Sequence, residues 1–544
     1  MRAYSLLTWL AAYFLALLVA GSILRQKVAI DPPSRPLVVR SFWKDGKRVD
    51  RIVAEDPGKI QKRDDGATAV DEVVTGESPM AHGKLTMPFS LVAGRDGVAA
   101  TVDGKTAYAT ADDLLAAQAY DHATTFFDAS FGIGTHRPTV LHILATDLGT
   151  TVEDVEYHAE FKRIRFEKKP PPPIVEVTPE RVLFALKQAA SYLARTVDAN
   201  GKFRYIVDAP TNNTLNSSYN WPRHSGATYF LAQAAKLFDD PEVRYAALRA
   251  ASQLRDVKMT TCGKEKCIAD EDDVDVGSNA LALVAFSEIV TTGADPAYEV
   301  AVKDLASFLR SQQRADGEFM HLYDRAKGQP IDVQYMYYTG EAALGLSRAH
   351  RVTHDPRDLE AAKKALAHLS GAGWSFFGSR YYYGEEHWTC QSAADLWDRA
   401  PNEEALGFCL RWHQYQRRLQ YDRGDSPYDA DGAFGFGPVA TPRVTPASSR
   451  GEAAGAALAV LLRTNTHAEE RELLDVELRH AAAFVLRNQL VDGNATAAFH
   501  VFAAPDAVAG AFPGSAVDLQ LRIDYVQHAG SMLIRWLEVS GLAH

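Results

Sequence analysis

The sequence predicts a mainly α protein: a closed ring of six helical hairpins, (α/α)6, preceded by a small α/β unit and an N-terminal transmembrane helix. Three observations carry this prediction. From about residue 180 to the C-terminus one unit recurs: an apolar helix, Gly-x-Phe, a loop, and a second helix rich in Ala and Gly. Four consecutive prolines, Pro170 to Pro173, separate that half from one of mixed strand and helix patterning. A largely apolar run, Ala3 to Leu24, opens the chain.

Taken in order, the 22 residues from Ala3 to Leu24 match the ~20 that cross a bilayer, with Arg2 before them and Arg25 and Lys27 after. The run is too long for a signal peptide, and Val19-Ala20-Gly21 is a poor cleavage site, so residues 1–27 are expected to remain as a signal-anchor. Flanking cations alone would keep the C-terminal side in the cytoplasm. Long domains cross largely regardless of such charges, and the Pro-rich exit Asp31 to Pro36 reads as a spacer, so an extracytoplasmic, periplasmic body in the cell envelope is expected. Residues 37–168 form the small α/β domain. Leu37 to Trp43 and Met87 to Val92 read as strands, and Gly97 to Val102 with Thr106 to Thr110 as a hairpin. Ala111 to Tyr120 opens with Asp112 and Asp113, a capped helix start; Thr139 to Leu148 reads as helix and Val155 to Phe166 as strand. No metal spacing, phosphate loop or nucleophile motif is visible there, which leaves a docking or spacer role.

The linker, residues 169–177, is extended by its prolines. From residue 178 to 544 the period is helical. Val182, Leu186, Ala189 and Leu193 stripe the first helix, which Asp198-Ala199-Asn200-Gly201 ends. Its partner is 227–238, and the later pairs are 241–255 with 277–291, 296–312 with 338–350, 357–369 with 387–398, 402–419 with 451–463, and 468–488 with 524–541. The second helix of each pair is apolar nearly all round, so it lies inside and its small residues allow close approach about a common axis. One hairpin cannot bury its own faces, whereas a stack of them can.

Gly201-Lys202-Phe203, Gly317-Glu318-Phe319, Gly432-Ala433-Phe434 and Gly510-Ala511-Phe512 mark the clearest copies. The string Gln313-Arg314-Ala315-Asp316-Gly317-Glu318-Phe319 is similar to the Gln-x-x-Asp-Gly-x-Phe/Trp repeat of terpenoid cyclases. On these residues about two-thirds of the chain resembles the α/α-toroid superfamily, which holds terpenoid cyclases, prenyltransferase β-subunits, lanthionine cyclases and many six-hairpin glycosidases, uronate lyases and epimerases. The resemblance implies a central cavity at the rim where the inner helices begin. Function does not follow from the fold alone.

The residues at those helix starts are the candidate site. Glu341, Asp524, Glu452, Tyr338 and His528 are the candidate catalytic groups; Trp221, Arg223, His224, His387, Trp388, Arg450 and Tyr525 are the candidate substrate-binding groups, with Glu386 beside them. Each has a plainer reading. Asp524 and Glu452 suit first-turn acids, His224 a structural pair with Arg223, and His528 a core histidine. Glu341 in an apolar run needs a partner or ligand. Tyr335, Tyr337 and Tyr338, and Trp374, Phe376, Phe377 and Tyr381 to Tyr383, either stack on sugar faces or plug the ring. His387 and Cys390 share a helix face, but the lanthionine cyclases' second cysteine and Cys-His-Gly string are missing, so no metal or cofactor is expected. The cyclase Asp-x-Asp-Asp acid is absent from the inner-helix starts; Asp270 to Asp273 lie in a polar loop. Cys262 and Cys267 could close a disulfide or supply half a zinc site; no second such pair completes the latter.

A net charge of -11 disfavours a nucleic-acid partner. The expected function is binding and processing of a glycan in the cavity, by hydrolysis or by uronate epimerisation or elimination. The alternative is a non-catalytic accessory protein of an envelope assembly, and less favoured still is a zinc-dependent or terpenoid-type cyclase.

Overall fold

The computed structural model describes residues 10, 12–18, 20–21, 30–56, 58, 65–121, 134–169, 175–371, 387–422, 430–435, 441–492, 494 and 498–542. More than half of the Ala3–Leu24 run lies outside them; its described part is helical and exposed. No helix among the described residues is long and apolar enough to cross a membrane. The central prolines and the aromatic segment from Trp374 to Tyr383 also lie outside, as does Glu386.

The N-terminal unit is a six-stranded, fully antiparallel sheet. Its strands are β1 (Val38–Lys44), β2 (Lys47–Ala54), β3 (Thr68–Pro79), β4 (Asp96–Val102), β5 (Lys105–Ala109) and β6 (Glu160–Lys169), in the order β2-β1-β3-β6-β4-β5. The helices are α1 (Met87–Ser90), α2 (Ala111–Ala116), α3 (Arg137–Leu148) and α4 (Val152–His158). Three expectations are corrected. The Met87 strand is a short helix, because Pro88 starts a helix readily and cannot donate to a ladder. The stretch from Val155 is helix before it is strand, because Thr151 and Asp154 form a capping box that starts α4. Strands β2 and β3 were not foreseen, although the turn Asp45-Gly46, with both φ positive, is the usual signature of a tight hairpin.

Twelve helices build the ring among the described residues. The outer ones are α5 (Pro179–Thr196), α7 (Pro241–Ser252), α9 (Glu299–Gln312), α11 (Pro356–Ser370), α13 (Glu403–Gln416) and α15 (Ala468–Asn488). The inner ones are α6 (Trp221–Phe238), α8 (Val276–Thr291), α10 (Tyr338–Thr353), α12 (His387–Leu396), α14 (Val444–Thr464) and α16 (Ile523–Leu542). Each inner helix packs on the next, and α16 returns to α6. Small residues make this possible: a Cβ on Gly340 of α10 would stand 2.8 Å from Trp388 Cβ of α12, and one on Gly530 of α16 would overlap the Phe230 ring of α6.

The Gly-x-Phe repeat is the outer seam. Gly317 (φ +94°) and Gly510 (φ +91°) lie so close to the following outer helix that a Cβ would overlap the carbonyl oxygens of Lys364 and Gln188. Gly201 and Gly432 do the same against Arg249 and His480. Gln188 belongs to α5, so the last copy closes the ring on the first. The Gln313 amide donates to the carbonyls of Gly317 and Ala361 (3.2 and 2.8 Å), and Gln420 and Gln489 repeat the pattern in their copies.

The sheet docks on the ring at residues 499–503. Trp43 meets His500 edge-on at 5.3 Å, and His500 Nε2 lies 2.8 Å from Asp112 Oδ2. Two disulfides are present, Cys262–Cys267 and Cys390–Cys409. The second was not foreseen, and it removes Cys390 as a metal ligand beside His387.

Candidate active site

At the rim where the inner helices begin lies a cavity of about 800 Å³. Inner helices start earlier than the apolar pattern suggests. Asn220 caps α6 by accepting from Arg223 N (3.0 Å), with Pro222 in the first turn, and α14 begins at Val444 rather than 451. Arg450 therefore sits in the second turn of α14, not at its tip. Of the five candidate catalytic residues, Glu341, Tyr338, Asp524 and His528 line the cavity. Of the candidate binding residues, Arg223, His387, Trp388, Arg450 and Tyr525 do.

Three do not. His224 is a structural link: its Nε2 donates to Ala250 O (2.9 Å), which leaves Nδ1 to accept from Tyr219 OH (2.7 Å), which in turn accepts from Phe203 N (3.0 Å). It thus ties the Gly-x-Phe turn to α6 and to α7. Burial lowers its pKa to about 4 against the weaker pull of the Ala250 carbonyl. Trp221 packs on Tyr219 and His224 beneath Lys258. Glu452 stands behind the wall.

Glu452 Oε2 is 2.8 Å from His528 Nδ1. A carboxylate there holds the proton on Nδ1 and leaves Nε2 as the basic nitrogen. Burial raises the Glu452 pKa, with His528 opposing. His387 lies beside His528, ring centroids 5.4 Å apart, and Trp388 packs on both at 4.7 and 5.9 Å. Burial first, then His528 and Arg450, hold His387 well below the ordinary histidine range, so it is neutral at pH 7. His387, Glu452 and His528 present ligand atoms within 4.8 Å of one another. A cation there would have to displace the Glu452–His528 hydrogen bond and sit close to the guanidinium of Arg450, so these residues fit an acid–base group better than a metal centre.

Asp524 is tied on two sides. Arg522 binds it with both Nε and Nη2 (2.5 and 2.8 Å), and Arg223 Nε lies at 3.2 Å. Burial works to raise its pKa, but these guanidiniums outweigh it and hold the group ionised. Arg223 also donates to Tyr205 OH (2.5 Å), and Arg522 lies over the Tyr525 ring at 4.4 Å. Burial, with the charges of Asp275 and Glu341, pushes the Tyr338 phenol well above its ordinary value and keeps it protonated. Glu341 shares the wall with Tyr338, both against Gly277 of α8.

Sequence reasoning missed Arg443, Arg522 and Gln527, which also line the cavity. Arg522 and Arg443 lie immediately before inner helices, so reading upstream of each helix start would have found them. The wall from Tyr335 to Tyr338 is held from outside: His321 Nδ1 accepts from Tyr335 N (2.7 Å), and the buried Glu318 takes hydrogen bonds from Thr339 and Phe319 and ion-pairs with His321 and His368.

Solved structures share this ring. D-mannose isomerase matches with a TM-score of 0.51 and 14% identity, over 66% of this chain and 98% of that one. The chain is also similar to cellobiose 2-epimerase from Spirochaeta thermophila DSM 6192 (TM-score 0.48, 14% identity, 67% and 97% covered). A third is an unsaturated glucuronyl hydrolase specific for heparin (0.47, 10%, 67% and 99%). The ring is an α/α toroid. At such identities the likeness shows the toroid fold alone. No family model matches the chain, and no curated protein sequence is similar to it.

Proposed function

We propose that this toroid is a carbohydrate-active enzyme that moves a proton at a carbon next to the carbonyl or carboxylate of a glycan unit, giving epimerisation or β-elimination. The observation that carries this is the His528–Glu452 dyad beside the neutral His387 in the cavity wall. His528 takes the carbon's proton as the base, Glu452 stabilises its imidazolium, and His387 donates a hydrogen bond to the oxygen where charge develops. The imidazolium then gives that proton to the departing oxygen in β-elimination, whereas in epimerisation a solvent proton returns to the opposite face of the carbon. Arg223, Arg450 and Arg522 in the same wall favour an anionic intermediate or a uronate. Hydrolysis needs two carboxylates facing one bond. Asp524 is engaged by two arginines and Glu452 is hidden behind His528, which leaves Glu341 to serve alone. D-mannose isomerase, with the same ring, supports a sugar in the cavity.

The body is anchored by the N-terminal helix, whose described residues Tyr13 and Phe14 are exposed at 61% and 63%. It works outside the cytoplasm, a placement that two disulfides support.

The test is to incubate the protein in D2O with neutral and uronic oligosaccharides and follow the sugars by NMR. Deuterium entering a C–H position (epimerisation) or a new C=C bond at the non-reducing end (β-elimination), abolished in His528→Gln, is the expected result. New reducing ends with neither exchange nor a new C=C bond, lost in Glu341→Gln, would replace proton transfer by hydrolysis. Binding without turnover would favour the accessory-protein reading.

A further inference from the structure

A second cavity, of about 880 Å³, opens at the other mouth of the ring, where the inner helices end. It is separated from the first by a buried apolar cluster of Tyr229, Leu281, Val284, Ala285, Leu344 and Trp388. Leu281 and Trp388 line the first cavity, while Tyr229 carries Arg348 of the second over its ring at 5.3 Å. The two mouths are thus distinct sites on one axis.

The second cavity holds five cations against three carboxylates, in a chain whose net charge is -11. Its carboxylates are all engaged: Glu288 by the buried Arg348, Asp395 by Arg348, Arg351 and Arg399, and Glu538 by Arg535. Lys236 forms no ion pair among the described residues. Among the described residues Arg463 pairs only with Asp398, which is outside the cavity and 70% exposed. Helix C-termini draw cations, and Arg463 does cap the carbonyls of Ala459 and Ala394. That role also accounts for Lys236, in the last turn of α6, but not for the open volume. Gln233 lines the same cavity and brings an uncharged polar side chain to its wall.

We infer that this mouth binds a small hydroxylated oxyanion, an acidic or phosphorylated monosaccharide. Its anionic group meets Lys236 and Arg351, and a hydroxyl accepts from the Gln233 amide nitrogen. The volume suits one or two sugar units.

The experiment is isothermal titration of the full-length protein with glucuronate and with glucose 6-phosphate, against glucose and inorganic phosphate. Millimolar or tighter binding of either acidic sugar is expected, with the tighter one identifying the anionic group. Lys236→Gln/Arg351→Gln should weaken it at least about tenfold, since two charge-assisted contacts are lost. Asp395 keeps Arg348 and Arg399 in that variant, and Lys236→Gln alone, at an exposed position, should weaken binding in the same direction. His387→Gln, in the other cavity, should leave unchanged the component of binding that the Lys236 and Arg351 substitutions remove. The inference is overturned if neither sugar binds, if inorganic phosphate binds as well as the sugars, if the Lys236 and Arg351 variants bind like the parent, or if the component these variants remove is also abolished by His387→Gln.

Discussion

At the scale of single residues, the site depends on what stands behind each side chain. The proposed base, His528, has Glu452 at its Nδ1, and His387 is held neutral first by burial and then by His528 and Arg450 beside it. Replacing Glu452 by Gln removes the partner of the imidazolium and keeps the shape. Turnover should fall by roughly 10²–10⁴ in His528→Gln and substantially in Glu452→Gln, with binding little changed, read from kcat and KM. His224 makes a prediction of a different kind. Its pKa is lowered to about 4 in the folded state, so between about 6.5 and 4 the unfolded chain takes up a proton that the folded chain refuses. Stability is full above pH 6.5 and falls by on the order of 3 kcal/mol as the pH drops through that window. Melting temperatures of the parent and His224→Gln across pH 4–7 should converge toward acid, because the variant lacks this titration. A parallel acid slope in both would refute the assignment. The type of these residues was legible in the sequence. Their roles were not, since His224 and His528 look alike until the Ala250 carbonyl and the Glu452 carboxylate stand beside them.

At the scale of elements, the Gly-x-Phe turns hold each hairpin to the next. Gly317→Ala would force a Cβ into the Lys364 carbonyl at a left-handed φ, and Gly510→Ala would do the same where the ring closes on α5. Each should cost more than about 1 kcal/mol in denaturant unfolding. An alanine at Gly293, where φ is also positive but nothing lies within 4 Å, should cost less and serves as the control. The helix pairing was legible because the 3.6-residue apolar period and the recurring glycine are both local signals. Helix starts were read late at α6 and α14, because polar first turns hide the apolar period; the Asn220-Trp221-Pro222 cap was the available clue. In the sheet unit, Asp45-Gly46 and the Thr151–Asp154 capping box were likewise present and unread.

At the scale of the whole molecule, the Cys390–Cys409 disulfide ties α12, which carries His387 and Trp388, to its outer partner α13. Closing a loop with a sequence separation of 19 should contribute about 3 kcal/mol, so Cys390→Ser/Cys409→Ser should unfold at lower denaturant. The same variant should also blunt activity, through a looser α12. If stability is unchanged, the bridge is not a constraint on this helix. Sequence by itself determined the ring: repeated amphipathic helices with small inner residues can bury their faces only against one another, and six of them close. Tertiary structure alone decided which polar residues share a cavity, which acids are neutralised by arginines, and that the axis carries two mouths and not one. The reason is physical. Helical periodicity is set by neighbours three and four positions apart, whereas a site is set by side chains from helices hundreds of residues apart. Their charges and hydrogen bonds acquire meaning only when burial brings them within a few ångströms of one another.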